Sequence, residues 1–517
     1  MKRLLTAAVV LLAFSCKKEN TLQPQNTPTI QISNSTASFN TTITTPIVNV
    51  QSCGAKGDGI TDDTQAIVKA ITQAKANKVP TVYFPDGTYL IKTAGNNSGV
   101  IALANGVGLQ GNSPATCHIK LSTGRHNPTS LFYQAWWDEP TVSDIVIQGI
   151  DFDGASFGQT YDASYEYGHA LSINNGQNIE VRDCKFQNLR GDGLLFGDTF
   201  LSSINQRITY NVNVHDSEFY NIYREGVMFC CTNGGSFYNN NVHGNGYFVA
   251  GVDIERHSLN ETVQNISVYN NIFNFTDGYG PIERGGPAVR YRRAVAMGFF
   301  YAGYTAGVDV RSGSHKIYGN KIYQGQIDCF GHINVNISDN TFTNTYENIT
   351  GVSMITAPAI NVADPDGNTS GLLNVDVVSN VINSSMPGNG IAFNHYKNVT
   401  AKANTITGTQ ADGISILNTT GMVVSNTITN VGTTTKKASG IVINGTTPGL
   451  YVGFNKVADT KTGTNRTVNY AVQIQSENGG DSKPHIENNK GVNLLMGIVS
   501  EYYYQLGFAI VADNTAG

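Results

Sequence analysis

The sequence predicts a β-solenoid, an all-β chain wound into stacked coils, on three observations. One phrase recurs from about residue 140: a short strand, a small polar residue or Asn, then a large apolar residue. It reads NIEVRDCKF (178–186), VNVHDSEF (212–219), NISVYNNIF (265–273), VNISDNTF (335–342), VTAKANTI (399–406) and LYVGFNKV (450–457), among others. The aligned positions Cys184, Ser217, Asn240, Asn271, Asn320, Asn340, Asn380, Asn404, Asn426 and Asn455 give a second observation. Their steps are 33, 23, 31, 49, 20, 40, 24, 22 and 29 residues, so a coil of about 20–24 carries insertions. A period in this range marks a solenoid, and extra residues must leave the cylinder as loops. The third is composition: 14% charged residues and 55 Gly in 517, against about 25% charged in an average chain. Alternating strands cannot bury their apolar side alone and must stack on neighbours at about 4.8 Å. Asn at the coil corner is expected to take left-handed geometry and to hydrogen-bond along the stack.

The N-terminus reads as an export signal. Lys2 and Arg3 precede the apolar run from Leu4 to Phe14, which ends at Ser15 and Cys16. About 11 apolar residues are too few to span a bilayer and fit a signal h-region. LLAFSC resembles a lipobox, with Phe14 where a small residue is usual, so Cys16 is the expected lipidated residue. Ordinary cleavage with Cys16 incidental is the alternative. The expected organisation is a signal over 1–16, a flexible tether over 17–47 and one β-helix domain over 48–517. Within that domain 48–125 form the cap and first coils and 277–306 an inserted loop. Membrane contact is expected through the lipid anchor only. The expected location is the bacterial outer membrane or cell surface, otherwise the periplasm or medium.

Charge and cysteine narrow the function. With 33 basic against 38 acidic residues there is no basic excess to neutralise a phosphate backbone, and nucleic acid is not an expected partner. The cysteines other than Cys16 (53, 117, 184, 230, 231 and 329) show no zinc spacing and read as buried packing residues.

The segment CGAKGDGITDDTQAIVKAITQAKANKVPTVYFPDGTYLI (53–91) resembles the opening of the pectate-lyase-like superfamily. That group includes polygalacturonases, rhamnogalacturonases, phage tailspikes and alginate C5-epimerases. The resemblance implies a right-handed parallel β-helix with an N-terminal capping helix, binding or acting on polysaccharide. The acids of the GDG stretch read as structural. Gly57 and Gly59 make a turn, and Asp62 or Asp63 caps a helix carrying Ile67, Ala70 and Ile71 inward. The polygalacturonase pattern of NTD, GDD, GHG and RIK is only faintly echoed by GDG at 191–193 and FGH at 330–332, and the epimerase DPH stretch is missing. No family catalytic residue is carried over.

The candidate site comes from strand register. GHALSIN (168–174), GDGLLFG (191–197) and REGVMFC (224–230) align Leu171, Leu194 and Val227 inward, then Ile173, Phe196 and Phe229. His169, Asp192 and Glu225 precede the strands, about one strand spacing apart. In AGVDIER (250–256), Val252 and Ile254 point inward while Asp253 and Glu255 point outward. These five residues are expected to share one outer wall as the catalytic group. Like charges this close raise at least one pKa and supply an acid beside a base, the requirement of glycoside hydrolysis. A solvated acidic face, or turn residues serving backbone amides, is the structural alternative, above all for Asp192 between two glycines.

The same acids allow a lyase or epimerase on a uronic-acid polymer. Such an enzyme must neutralise the substrate carboxylate with calcium or basic side chains; a hydrolase requires no cofactor here. Asp253 and Glu255 with Asp192 or Glu225 could ligate calcium. Arg256, Arg290, Arg292, Arg293 and Arg311 are the expected substrate-binding cations, and Tyr167 an aromatic subsite candidate. A non-enzymatic glycan-binding surface protein is the third reading. The sequence favours a polysaccharide-cleaving glycosidase, with the lyase or epimerase as its alternative.

Overall fold

The computed structural model describes residues 46–516 except 94–98, 125–127, 135–141, 157–166, 198–207, 245–247, 257–260, 277–279, 282–287, 290–291, 300–311, 348–351, 354–356, 365–373, 476–482 and 501–509. Cys16, residues 17–45 of the tether, Arg290 and Arg311 therefore lie outside the described residues, while Ile47 already belongs to the strand Ile47–Asn49.

Among the described residues three long parallel sheets of 17, 16 and 14 strands form the body, the β-solenoid that the repeats predict in the right-handed parallel form that the resemblance implies. Each coil visits them in turn, as in Gly176–Arg182, Lys185–Gln187 and Leu194–Phe196, then Thr209–His215, Glu218–Tyr220 and Glu225–Phe229. Alternate side chains enter the cylinder and stack coil on coil. Phe152, Phe186 and Phe219 are wholly buried, with ring centroids 5.2 and 5.0 Å apart. Among the described residues no helix is long and apolar enough to cross a membrane, and all six described cysteines are buried.

The corner between the first and second sheets is held by the repeated Asn. Asn340 accepts from the Asn320 amide (3.1 Å) and from Asn320 Nδ2 (2.9 Å), and donates to the Ile317 carbonyl (2.8 Å) and to Asn380 Oδ1 (3.0 Å). The pattern repeats through Asn404, Asn426, Asn455 and Asn489. One expectation is corrected: the left-handed residue is not the ladder Asn but the one before it. Asp339, Ser379, Ala403, Ser425 and Phe454 all have φ between 55° and 58°. That step turns the chain so that the next side chain points into the cylinder. It costs about 1–2 kcal/mol for an L-residue, and the ladder hydrogen bonds offset it at Phe454 as well as at Asp339.

From the strand Val142–Gln148 onward this corner keeps one length among the described residues. Only two residues separate Arg182 from Lys185, His215 from Glu218 and Tyr269 from Ile272. Insertion there would break the ladder. Long connections fall instead on both flanks of the third sheet, before His169 and Arg292 and after Phe196, Arg256 and Phe299. Two of them pair across, Ala288 and Val289 with Val352 and Ser353. The outer face of the third sheet therefore lies between these connections in chain order.

At the N-terminal end the α-helix Thr64–Asn77 buries Ile67, Ala70, Ile71 and Ala74. Asp63 holds its N-cap position, but its carboxylate turns back to accept from the Lys56 (2.7 Å) and Gly57 (3.0 Å) amides. Asp62 accepts from the Thr64 amide instead. The GDG acids are structural.

Candidate active site

The predicted register holds on the third sheet: Leu171 pairs Leu194, Leu194 pairs Val227 and Val227 pairs Val252. The expected common outer wall does not. His169, Asp192 and Glu225 sit two residues before these inward side chains and share their direction, with exposures of 3%, 0% and 3%. They form a second corner ladder. The Asp192 amide donates to His169 Nδ1 (3.0 Å) and the Glu225 amide to Asp192 Oδ1 (3.2 Å). The same position higher up holds Asn389, Asp412 and Ser439. There the Asp412 amide donates to Asn389 (3.0 Å) and the Ser439 amide to Asp412 (2.8 Å). Next along, Gly193 is obligatory because a Cβ would stand 2.4 Å from the Gly226 carbonyl oxygen. Tyr167 meets His169 edge-on at 6.2 Å.

Arg224, which the sequence reading passed over, is the cation of this corner. Its Nε lies 3.3 Å from Glu225 Oε2 and 3.8 Å from Asp192 Oδ1. Burial opposes the charge on Asp192, but Arg224 and His169 hold its carboxyl far below the usual range. Burial pushes Glu225 well up; Arg224 opposes that and the Asp192 charge adds to it. Around one guanidinium the two acids are pushed in opposite directions, Asp192 down and Glu225 up.

Asp253 and Glu255 do face outward on the strand Ala250–Arg256, between the buried Val252 and Ile254. Asp253 pairs with Ala296 on the next coil, and Ala296 with Asp328 on the one after. Asp253 is half-buried and its carboxyl is pushed well up by burial and then by Glu255, against Arg224 and Arg293. Asp328 is 1% exposed; its Oδ2 accepts from Arg293 Nε (2.8 Å) and Gln326 Nε2 (2.6 Å). Burial raises Asp328 although Arg293 opposes it. The sequence reading missed Asp328, yet GQIDCF (325–330) carries the same signal as GVDIER: an acid between two inward apolar residues, here Ile327 and Cys329.

The arginines divide. Arg293 is exposed (45% of its side chain) over Asp328. Arg256 is fully buried and Arg292 is 4% exposed, with burial lowering Arg292 to about 10. Neither faces a substrate from there, a correction that follows from strand phase for Arg256, which lies one residue beyond outward Glu255.

Below this face two buried histidines fix their own tautomers. The Ile266 amide donates to His315 Nδ1 (3.2 Å), so His315 carries its proton on Nε2 and donates it to His332 Nδ1 (3.1 Å). His332 then donates from Nε2 to the Gly298 carbonyl (3.1 Å). The chain works only when both rings are neutral, and burial lowers His332 to about 4, with nearby Arg256 adding and Glu255 opposing. The unfolded ring titrates near 6.5. The His332 contribution is therefore complete above that pH and shrinks as pH falls toward 4. Urea titrations should show the stability gap between wild type and His332→Asn narrowing by about 3 kcal/mol over that window. A constant gap would contradict the neutral pair.

Residues 47–277 match the family described as rhamnogalacturonase A/epimerase, pectate lyase-like. The match covers 231 of the 517 residues, and over them this chain resembles the pectate-lyase-like superfamily.

The chain is 28% identical over 157 residues to the uncharacterized protein YclG of Bacillus subtilis, covering 29% of this chain and 26% of YclG. It is 35% identical over 107 residues to mannuronan C5-epimerase AlgE4 of Azotobacter vinelandii, covering 20% and 19%. It thus spans about a quarter and a fifth of these relatives. The catalytic unit of a GH87 α-1,3-glucanase from Streptomyces thermodiastaticus superposes with a TM-score of 0.51 at 16% identity, over 86% of this chain and 71% of that one, and shares the fold.

Proposed function

We propose that this protein is a carbohydrate-active enzyme that hydrolyses a polysaccharide lying along the outer face of the third sheet. The observation that carries this reading is the outward row Asp253, Ala296, Asp328. Asp253, whose carboxyl burial and Glu255 push well up, serves as general acid and gives its proton to the leaving glycosidic oxygen. Asp328, whose basicity burial raises, takes a proton from the water that attacks the anomeric carbon. A base titrating nearer neutrality is a stronger base. The two Cα positions are two strand spacings apart, roughly 10 Å, close to the carboxyl separation of inverting enzymes, about 6.5–9.5 Å. Arg293 steadies the Asp328 charge. The test is a polysaccharide panel read by new reducing ends and by ultraviolet absorbance, with and without chelator. New reducing ends without unsaturation are expected; unsaturated ends would overturn hydrolysis.

Exposed Arg293 beside Asp253 favours a second reading, a lyase or epimerase whose cation neutralises a uronate carboxylate, and the local identity to a mannuronan C5-epimerase supports it. Calcium has less support as that cation. Asp192 and Glu225 are locked in the corner ladder, and among the described residues no three His, Cys, Asp or Glu side chains are grouped to hold a metal ion. Export and lipidation at Cys16 complete the proposal, and loss of radiolabelled palmitate from a Cys16→Ser chain would test them.

A further inference from the structure

Beside the acids the outward row of the third sheet carries small residues. Gly298 pairs with Glu255 on one side and follows the register to Phe330 on the other, while Ala296 lies between Asp253 and Asp328. Gly298 has no need to be glycine: its φ is not left-handed, and a Cβ placed on it would meet nothing within 4 Å. On the three preceding coils of this sheet the glycines are packed, with a Cβ on Gly193, Gly226 or Gly251 standing 2.4–2.5 Å from its nearest atom. The Gly298 carbonyl also accepts from His332 beneath it (3.1 Å). Half-buried Phe330 bounds this space beyond Gly298. Two polar atoms point to an occupant. Asp328 Oδ1 and Gln326 Oε1 are buried acceptors with no hydrogen-bond donor, on residues 1% and 5% exposed. Asn361, next on the Asp328 row, favours the Asp328 charge without a well-formed bond to Oδ1. Leaving buried acceptors unpaired costs about 1–3 kcal/mol each, a cost that a hydroxyl-bearing ligand removes.

We propose that the strip over Ala296 and Gly298 is a subsite for one pyranose ring of the polysaccharide, its apolar face on Gly298 and Phe330 and its hydroxyl groups donating to Asp328 Oδ1 and Gln326 Oε1. This rests on the hydrolase reading and adds where the reacting sugar lies. Saturated carbon faces pack on aromatic rings, and hydroxyl edges satisfy the acceptors beside them. A ring held there has Asp253 on one side and Asp328 on the other.

The experiment uses the full chain with three probes, hexasaccharides of mannuronan, polygalacturonan and α-1,3-glucan, measuring cleavage by reducing ends and binding by calorimetry. Gly298→Val fills the space with a residue suited to a strand and should leave the melting temperature unchanged. It should lower both binding and cleavage of the accepted probe by at least about 100-fold, the scale of a lost subsite. Phe330→Ala should weaken binding about tenfold. Wild-type cleavage with an equally active Gly298→Val overturns the subsite and leaves the hydrolase standing. Saturable binding abolished by Gly298→Val, with no cleavage of any probe, keeps the subsite and overturns the hydrolase. Neither binding nor cleavage of any probe overturns both.

Discussion

Asp253→Asn is expected to lower turnover by about 10²- to 10⁴-fold, the usual contribution of a positioned general acid, with no loss of stability. The argument is electrostatic. Burial and Glu255 already disfavour the ionised form of Asp253, so a neutral amide of the same shape replaces the form the fold prefers. A carboxyl raised in the folded state adds stability as pH falls and removes it as pH rises through the folded value. The melting temperature of Asp253→Asn at pH 8 should therefore equal or exceed that of wild type. Asp192→Asn is the control. Asn389 already fills the equivalent corner position and accepts the next amide, so most of the turnover should survive there. Turnover of Asp253→Asn within threefold of wild type would remove Asp253 from the chemistry.

Asn340→Ala should be the most destabilising of the single changes considered, by at least about 4 kcal/mol. Four hydrogen bonds meet at this buried amide, and each buried partner left behind costs about 1–3 kcal/mol. The Asn320 amide, the Ile317 carbonyl and the side chains of Asn320 and Asn380 would all lose a partner within the stack. Asn383→Ala, on the exposed outer face of a neighbouring coil, should fall within about 0.5 kcal/mol of wild type. Guanidinium unfolding of both variants checks this. Similar midpoints would mean that the ladder is incidental to stability.

The legibility of the site follows from strand parity. Val252 and Ile254 alternate cleanly with Asp253 and Glu255, so their outward direction is written in four consecutive residues. His169, Asp192 and Glu225 lie where the strand bends into its corner. The spacing of two that marks them as inward was present in GDGLLFG, but their place before the strand suggested a free edge. The later repeats GNG (388–390), ADG (411–413) and ASG (438–440) carried the missing signal, since coils far from any acidic cluster use the same position. Asp328 was hidden differently. The acid that brings it into the site, Asp253, stands 75 positions earlier, with three long connections between them.

From sequence alone came the solenoid, the stacking of Leu171, Leu194, Val227 and Val252, and the Asn ladder, because periodicity and alternation are local and repeat in every coil. Only the folded chain decided which acids are ladder rungs and which face outward. A shift of one residue reverses a side chain's direction, and neighbouring coils determine whether a carboxyl meets an amide, a guanidinium or open space. That choice separates Asp192, tied to the Glu225 amide, from Asp253, which faces Asp328 across Ala296.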